Sequence, residues 1–487
     1  MATLLVFSFA ALLWLLITQT VADADLWGHL RFGLDLLSTH RLPQWDSYSF
    51  TADRMWVNHE WLSEAAMAVA YRAAGPLGLN LLKLTAIGVI AAIVVRVGRR
   101  ERAAPIDCIL LAALVVLATY TRTQVIRPQL FSVPVFCLIL YAISEAERQR
   151  YRALMAVPFC FALWVNLHGA WIIGLACWGF WLAAATWTTP ERRGMLIGLG
   201  AATLAATLVN PYGPGLWRFL GETVRLQRLD ISDWKPLLQL PPGIIMLNLI
   251  LPAVAACAIV QGRRRVPLAH LGIVAILAAG MWRIGRADAF LQAAIGILFA
   301  PQILAWFAAM RARAQSRVWQ WTAPLGRAVL GAGAVAALTA GFVNLRTIEL
   351  QGAWLPDASG LESVRQSCAG RKVLTWFDWG EYAIWHLSAD GIRVSIDGRR
   401  ETIYSQRVLE DHLAFYNNER SAIDYPDRIA AECVWLPARF GTVSALEARG
   451  WTVVARTPVS AVLRRSGAAQ PTPIVGSTSA ARVFPGP

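Results

Sequence analysis

The stretch A-D-A-D-L-W-G-H at residues 22–29, continued to W-V-N-H-E-W at 56–61, decides how the chain reads, because it sets dense polar chemistry directly behind an apolar run. Between its two ends lie Arg31, Asp35, His40, Arg41, Asp46 and Asp53, and residues 22–62 hold three of the seven histidines. Carboxylates, arginines and imidazoles gathered beside hydrocarbon-length segments describe a site or the wall of one.

Residues 1–22 carry no charge, and a helix of that length crosses about 30 Å of hydrocarbon. Ala22-Asp23-Ala24 has the small-x-small form of a signal-peptide cleavage site. The run lacks a basic start, however, and is longer than the roughly 7–15 apolar residues of a signal peptide, so it reads as a retained first span. On the other side of the loop, apolar runs recur near 77–97, 107–120, 128–144, 154–166, 169–187, 194–209, 244–261, 266–282, 287–308 and 326–343. That makes about eleven spans. Composition agrees: 56% of the 487 residues are hydrophobic, 16% are charged, and the mean hydropathy is +0.46. A water-soluble globule of this size is not built so.

The net charge of +14 would suit a nucleic-acid binder if it formed a continuous face. It falls instead in short clusters between apolar runs: Arg96, Arg99, Arg100 and Arg102; Arg148, Arg150 and Arg152; Arg192 and Arg193; Arg263, Arg264 and Arg265; Arg311, Arg313, Arg317 and Arg327. Alternate loops carrying arginine mark the cytoplasmic side, so nucleic acid is excluded as a partner and the 22–62 loop faces outward. The same parity sends Asn166-Leu167-His168-Gly169, Asn210-Pro211-Tyr212-Gly213 and the loop through Asp230-Ile231-Ser232-Asp233-Trp234 outward. Arg122, Arg127, Arg283 and Arg286 border spans on that outward side. Charges at such depth line a cavity or snorkel to the interface.

From about residue 344 the composition turns polar. Short β-rich runs at 373–377, 393–396, 434–436 and 451–455 alternate with helical stretches at 406–416 and 442–449, which predicts a small soluble α/β domain over 344–466. This domain shows no nucleophile or metal pattern and is expected to cover the outer face or select an acceptor rather than do chemistry. Residues 467–487, rich in Ala, Pro, Ser and Thr, read as a disordered tail. The expected architecture is thus an all-α polytopic membrane domain over 1–343, an outer α/β domain and a tail. Five cysteines lie in apolar runs, and only Cys368 and Cys433 are available to pair outside the membrane.

If a helix begins near Ala24, Asp23 is its N-cap, and Asp25 and His29 lie four apart on one face. His59-Glu60 starts like a zinc-protease H-E-x-x-H, but Ser63 stands where the second histidine would be. The pair reads either as interfacial groups between the Trp56 and Trp61 anchors or as helpers in acceptor placement. Gly331-Ala332-Gly333 lies in an apolar run without a preceding strand and reads as small-residue helix packing. No Walker A and no G-x-S-x-G motif occurs, so a nucleotide as direct substrate has no support.

Six short pieces together resemble the GT-C superfamily of membrane glycosyltransferases: D-A-D-L-W-G-H at 23–29, W-V-N-H-E-W at 56–61, R-P-Q-L-F at 127–131, N-L-H-G at 166–169, N-P-Y-G at 210–213 and I-D-G-R at 396–399. The pieces are most similar to the bacterial polyprenyl-phosphate mannosyltransferase and aminoarabinose transferase types. The resemblance implies a GT-C-like fold in the bacterial cytoplasmic membrane, with the outer domain on the periplasmic side. It implies sugar transfer from a polyprenyl-phosphate donor to a hydroxyl of a glycan, lipid or protein acceptor.

The family's essential loop acid falls on Asp25, and His59 resembles a histidine later in that loop. Many members carry Asp-Glu at the first site, where Leu26 follows Asp25 here. The expected site is therefore Asp25 as base with Asp23 and Glu60 beside it, and His29, Asn58, His59, Arg127, His168 and Arg286 binding substrate. No cofactor is required, and a divalent cation on Asp23, Asp25 or Glu60 is compatible with the residues. The alternative is a non-enzymatic protein that binds or translocates lipid-linked glycan, or a scaffold for its assembly.

Overall fold

The computed structural model describes residues 2–223, 234–262, 265–315, 324–352, 354–465 and 483–486. Asp230 to Asp233, Arg263, Arg264, Arg317 and residues 467–482 of the tail lie outside the described residues. Contacts gather the chain into two compact units. One comprises Met1–Thr20 with Leu77–Arg346, and the other Val21–Pro76 with Thr347–Pro487. The polar loop therefore belongs by contact with the C-terminal segment, a grouping that neither hydropathy nor the change of composition at 344 reveals.

The first unit is helical. Helices Trp61–Arg100, Gln129–Ala146, Trp171–Thr188 and Pro242–Gln261 are long and apolar enough to cross a membrane. A fifth candidate is the pair Gly285–Leu298 and Ala300–Arg313, bent by 67°. The chain is a membrane protein, but the expected eleven spans are not confirmed at that count among the described residues. Several apolar runs form helices of 14 to 17 residues, such as Pro105–Ala118 and Ala2–Thr18. The run at 154–166 is a 3₁₀ turn followed by the short helix Val157–Trp164. Hydropathy counts apolar residues and does not register where a helix breaks.

Helix Ala2–Thr18 packs along Pro324–Asn344 through Ala11, Ala334 and Ala337, with the Trp14 indole donating to the Leu338 carbonyl at 3.3 Å. The expected small-residue packing at Gly331 and Gly333 is corrected: both face open space, and the close approach falls further on, at Ala334, Ala337 and Gly341. Two buried cations in this unit are bound by neighbouring oxygens. The Lys83 ammonium donates to the Gln19 carbonyl and the Thr20 hydroxyl, both at 2.6 Å. The Arg122 guanidinium donates to Asp288 at 2.8 Å, with Thr121 on the other carboxylate oxygen at 3.0 Å.

The helix at 61–100 is interrupted where the two units divide. Ala74 and Gly75 leave helical angles, Gly75 at φ 58° just before Pro76. Glycine adopts that angle without the Cβ clash other residues meet, and proline cannot continue the hydrogen-bond ladder.

In the second unit a five-stranded sheet runs in the order β2-β1-β3-β5-β4. The strands are β1 (Lys372–Thr375), β2 (Arg393–Val394), β3 (Cys433–Pro437), β4 (Trp451–Arg456) and β5 (Ser460–Arg465). β1 lies parallel to β2 and β3, and β5 is antiparallel to both β3 and β4. β3, C-V-W-L-P, is buried at every residue, as a central strand covered on both faces must be. Leu374, Val434, Leu436 and Leu463 pack there with Phe415 of helix Gln406–Tyr416. The sequence located four of the five strands and missed β5. Cys368 and Cys433 form the disulfide that their position outside the apolar runs allowed.

Residues 21–76 complete this unit. Ser49 bridges Val394 at the free side of β2, with Phe50 N–H to the Val394 carbonyl and Val394 N–H to the Tyr48 carbonyl, each 3.0 Å. The loop thereby covers a sheet edge that would otherwise be open. Residues 483–486 are ordered, contrary to the expectation of a fully disordered tail. Phe484 sits between the rings of Trp27 and Tyr71 at 5.1 and 6.0 Å, and the Trp27 indole donates to the Pro485 carbonyl at 2.8 Å. Burying one aromatic ring contributes about 1.5–3 kcal/mol, enough to hold a short terminus.

Candidate active site

Helix Leu26–Thr39 starts at Asp25, not at Asp23. The expected N-cap at Asp23 is thereby corrected: its carboxylate instead accepts from the Asp25 N–H at 3.1 Å and closes a turn just ahead of the helix. Asp25 occupies the cap position with no side-chain capping bond. Its carboxylate points elsewhere, toward Gly398 of the I-D-G-R stretch: a Cβ on Gly398 would stand 2.3 Å from Asp25 Oδ1 and 2.7 Å from Glu381 Oε1. Real carbon atoms never approach oxygen so closely, so only glycine lets these two carboxyl groups face each other across the chain.

Glu381 opens the helix Gly380–Leu387, which packs against Leu26–Thr39. A Cβ on Gly28 would meet its Oε2 at 2.1 Å. The side chain is 3% exposed, and Oε2 has no hydrogen-bond partner among the described residues. Burial, then the charges of Asp25 and Asp397, push the Glu381 carboxyl well above the usual range; Arg399 opposes and Glu64 adds. Burial and the neighbouring carboxylates thus favour the protonated form of this carboxyl.

His29 lies one turn after Asp25, with Nδ1 3.2 Å from Glu64 Oε1. Asn58 donates to the other Glu64 oxygen at 2.6 Å. Burial lowers the His29 pKa, but the Glu64 hydrogen bond and the charges of Glu60, Glu64 and Asp25 outweigh it, so the imidazole is held above its ordinary value. His59 Nε2 and Glu60 Oε1 stand 3.6 Å apart.

Arg399 fixes the wall of this cluster. Its guanidinium binds Asp397 through Nε and Nη2 at 2.8 and 2.7 Å and Asp46 through Nη1 at 2.6 Å. It lies over the rings of Phe32 and Trp56, each 4.5 Å away. The Tyr404 hydroxyl donates to Asp397 at 2.8 Å. Arg399 and both carboxylates are buried.

Asp25, Asp23, Glu60, His29, Asn58 and His59 therefore share one compact unit, and the structure adds Glu381, Glu64, Asp397 and Arg399 to their surroundings. Arg127, His168 and Arg286 belong to the other unit. His168 Nδ1 is 2.9 Å from the Ser132 hydroxyl, which accepts from the Trp164 indole at 2.8 Å. Arg286 lies over the Trp234 ring at 5.7 Å, and Arg127, half-buried, precedes helix Gln129–Ala146. Among the described residues no three His, Cys, Asp or Glu side chains form a group able to hold a metal ion.

No family model matches the sequence, and no curated protein matches it. Solved structures do resemble it. Over 97% of this chain and 99% of the other, it superimposes on ArnT from Cupriavidus metallidurans bound to undecaprenyl phosphate, at a TM-score of 0.53 and 14% identity. ArnT in the apo state gives 0.55 over 95% and 97%, again at 14% identity. The apo Archaeoglobus fulgidus oligosaccharyltransferase gives 0.55 over 89% of this chain and 69% of the other, at 11% identity. The fold is of the GT-C type.

Locally, the chain starts a helix at Asp25 yet leaves its carboxylate to face a second carboxyl. Sequence reading missed Glu381 because its signals are weak. They are a glycine followed by an acid at the head of an eight-residue helix, W-F-D-W-G-E-Y, which also describes an ordinary helix start. Arg399 was visible within I-D-G-R, but its two buried partners were not.

Proposed function

We propose that this chain is an integral membrane glycosyltransferase that moves a sugar from a polyprenyl-phosphate donor to an acceptor hydroxyl on the outer face of the bacterial cytoplasmic membrane. The observation that carries the reading is the Asp25 carboxylate: at a helix start, but with no capping bond, and turned to the buried acidic cluster of a GT-C-type fold. In the proposed step the acceptor hydroxyl gives its proton to Asp25 while its oxygen bonds to the anomeric carbon. The bond from that carbon to the phosphate oxygen breaks, and polyprenyl phosphate leaves with the electron pair. Asp25 then returns its proton to solvent.

Asp23 holds the turn behind the base, His29 and Asn58 are fixed through Glu64, and His59 and Glu60 assist acceptor placement. A lipid-phosphate donor needs cations to stabilise the departing phosphate, which Arg127 and Arg286 are proposed to supply. ArnT's bound undecaprenyl phosphate supports a donor of that class. The chemistry requires no organic cofactor, and activity measured with and without a chelator reads out any divalent cation.

Turnover of polyprenyl-phosphate sugars by the purified full chain tests the reading. Lysine keeps the charge of arginine but loses its two-pronged fork, so Arg286→Lys and Arg127→Lys are expected to raise the donor concentration needed for half-maximal rate. Unchanged donor dependence in both removes them from the site. Binding of lipid-linked glycan without turnover of any donor would favour the non-enzymatic alternative.

The arginine alternation supports an outward 22–62 loop and a periplasmic C-terminal segment, and the Cys368–Cys433 disulfide suits an oxidising compartment. Cysteines placed at the exposed Ser47 and Ala389 are expected to react with an impermeant maleimide added to intact cells. Reaction only after the cytoplasmic face is opened would overturn this orientation.

A further inference from the structure

Glu381 is a buried carboxyl that the step described above does not use. It faces Asp25 across Gly398, its Oε1 and the Asp25 Oδ1 lying 2.7 and 2.3 Å from the one point a Gly398 Cβ would occupy. Its second oxygen lies against Gly28 with no hydrogen-bond partner among the described residues. A buried group left so is a costly arrangement for structure alone, because a glutamine, methionine or leucine there would fill the space without a charge to suppress. The Glu381 Oε1 and the Asp25 Oδ1 are therefore at most 5.0 Å apart, a separation at which each carboxyl group disfavours ionisation of the other.

We propose that Asp25 and Glu381 act as one carboxyl pair sharing a single proton, with Asp25 the base and Glu381 the positioning residue that keeps it oriented. This rests on the glycosyltransferase reading for its consequence, though not for its existence. With one negative charge on the pair, Asp25 accepts the acceptor's proton while the Glu381 acid holds its place. With two, the carboxylates repel each other and a phosphate-bearing donor; with none, no base remains.

The charged groups on elements packed around Glu381 are Asp25 at the cap of helix Leu26–Thr39, His29, Arg31 and Asp35 within that helix, Asp378 before its own helix, His386 within it, and Arg365, which donates to the His386 carbonyl. Asp390 and Arg393 follow that helix, Asp397 and Arg399 lie beyond, and Glu64 comes from helix Trp61–Arg100. Asp25, Asp397 and Glu64 favour the protonated form, and Arg399 alone of the strongly acting groups opposes it.

The pair makes two measurable statements. In a transfer assay of the full chain, the wild type is expected to lose rate on both the acid and the alkaline side. Glu381→Gln, which mimics the neutral acid at every pH, is expected to work a few-fold more slowly at the optimum and to lack the alkaline decline. Glu381→Leu is expected to be slower still.

The second readout needs no activity. A folded carboxyl with a raised pKa keeps a proton that the unfolded chain releases, so it makes stability fall as pH rises above the usual carboxylate range. Glu381→Gln removes that loss and is expected to melt above the wild type at about pH 8, with the difference disappearing near pH 4. An unchanged alkaline limb in Glu381→Gln, or a melting difference independent of pH, overturns the pair. If the wild type transfers nothing, the functional reading fails, and the melting comparison still decides whether the shared proton exists.

Discussion

Asp25→Asn is expected to lower glycosyl transfer by roughly 10² to 10⁴ while leaving the fold and donor binding in place. Asparagine has nearly the size of aspartate and fits at a helix start equally well, and Asp25 makes no side-chain capping bond that the change would break. What asparagine lacks is the ability to take the acceptor's proton. The loss should appear in kcat with little change in the donor concentration for half-maximal rate, since a base acts on the transition state and not on donor affinity.

Asp23→Asn is the matched control. Its carboxylate accepts one backbone N–H, a role an amide oxygen fills, so its effect should be far smaller. Normal transfer by Asp25→Asn would remove the base assignment, and equal losses in the two variants would show that the turn, not the proton, is what matters.

The second large effect is on stability. Arg399→Met is expected to destabilise the unit holding residues 347–465 by about 3–5 kcal/mol, the cost typical of stranding a buried charge partner. Methionine replaces most of the volume between Phe32 and Trp56, so lost packing is a minor part of that. The major part is that Asp46 and Asp397, both fully buried, lose the cation that binds each of them. Burial already holds Asp46 above the usual carboxylate range even with Arg399 present.

Without Arg399 the Asp46 carboxyl, already raised by burial, loses the charge that opposes that rise, so the folded state would retain a proton the unfolded chain releases. Stability of the variant therefore falls as pH rises through the carboxylate range and recovers in acid, and the deficit should be deepest at neutral pH. Denaturant-dependent proteolysis of the full chain in detergent at two pH values measures it. A deficit below about 1 kcal/mol, the worth of an exposed ion pair, or one indifferent to pH, would mean that the cluster is better solvated than its geometry indicates.

These two residues belong to one arrangement seen from two sides. Arg399 holds Asp397 beside Gly398, and Gly398 is the point across which Asp25 and Glu381 meet. A loss of the clamp is thus expected to disturb the base as well, whereas a loss of the base leaves the clamp intact.

The sequence by itself determined the environment. Apolar runs, basic clusters and a dense polar loop are local properties of composition, and they pointed to a membrane protein with a polar loop around Asp25, followed by a segment carrying a sheet; the resemblance alone singled out Asp25 within that loop. Four strands were legible because alternating or fully apolar runs of β-branched residues are short-range signals, and Cys368 and Cys433 were legible as a pair because the other cysteines lie in apolar runs.

Tertiary structure decided the rest. The number of membrane-crossing helices depends on breaks that hydropathy does not register, such as the 67° bend between Leu298 and Ala300. The grouping of Val21–Pro76 with Thr347–Pro487 joins residues more than three hundred positions apart, a distance over which no periodicity in a single chain carries information. For the same reason Glu381 was invisible as a candidate. Its burial, its state of protonation and its nearness to Asp25 are all properties of what surrounds it, and those surroundings exist only once Gly28 and Gly398 have let two distant segments close on each other.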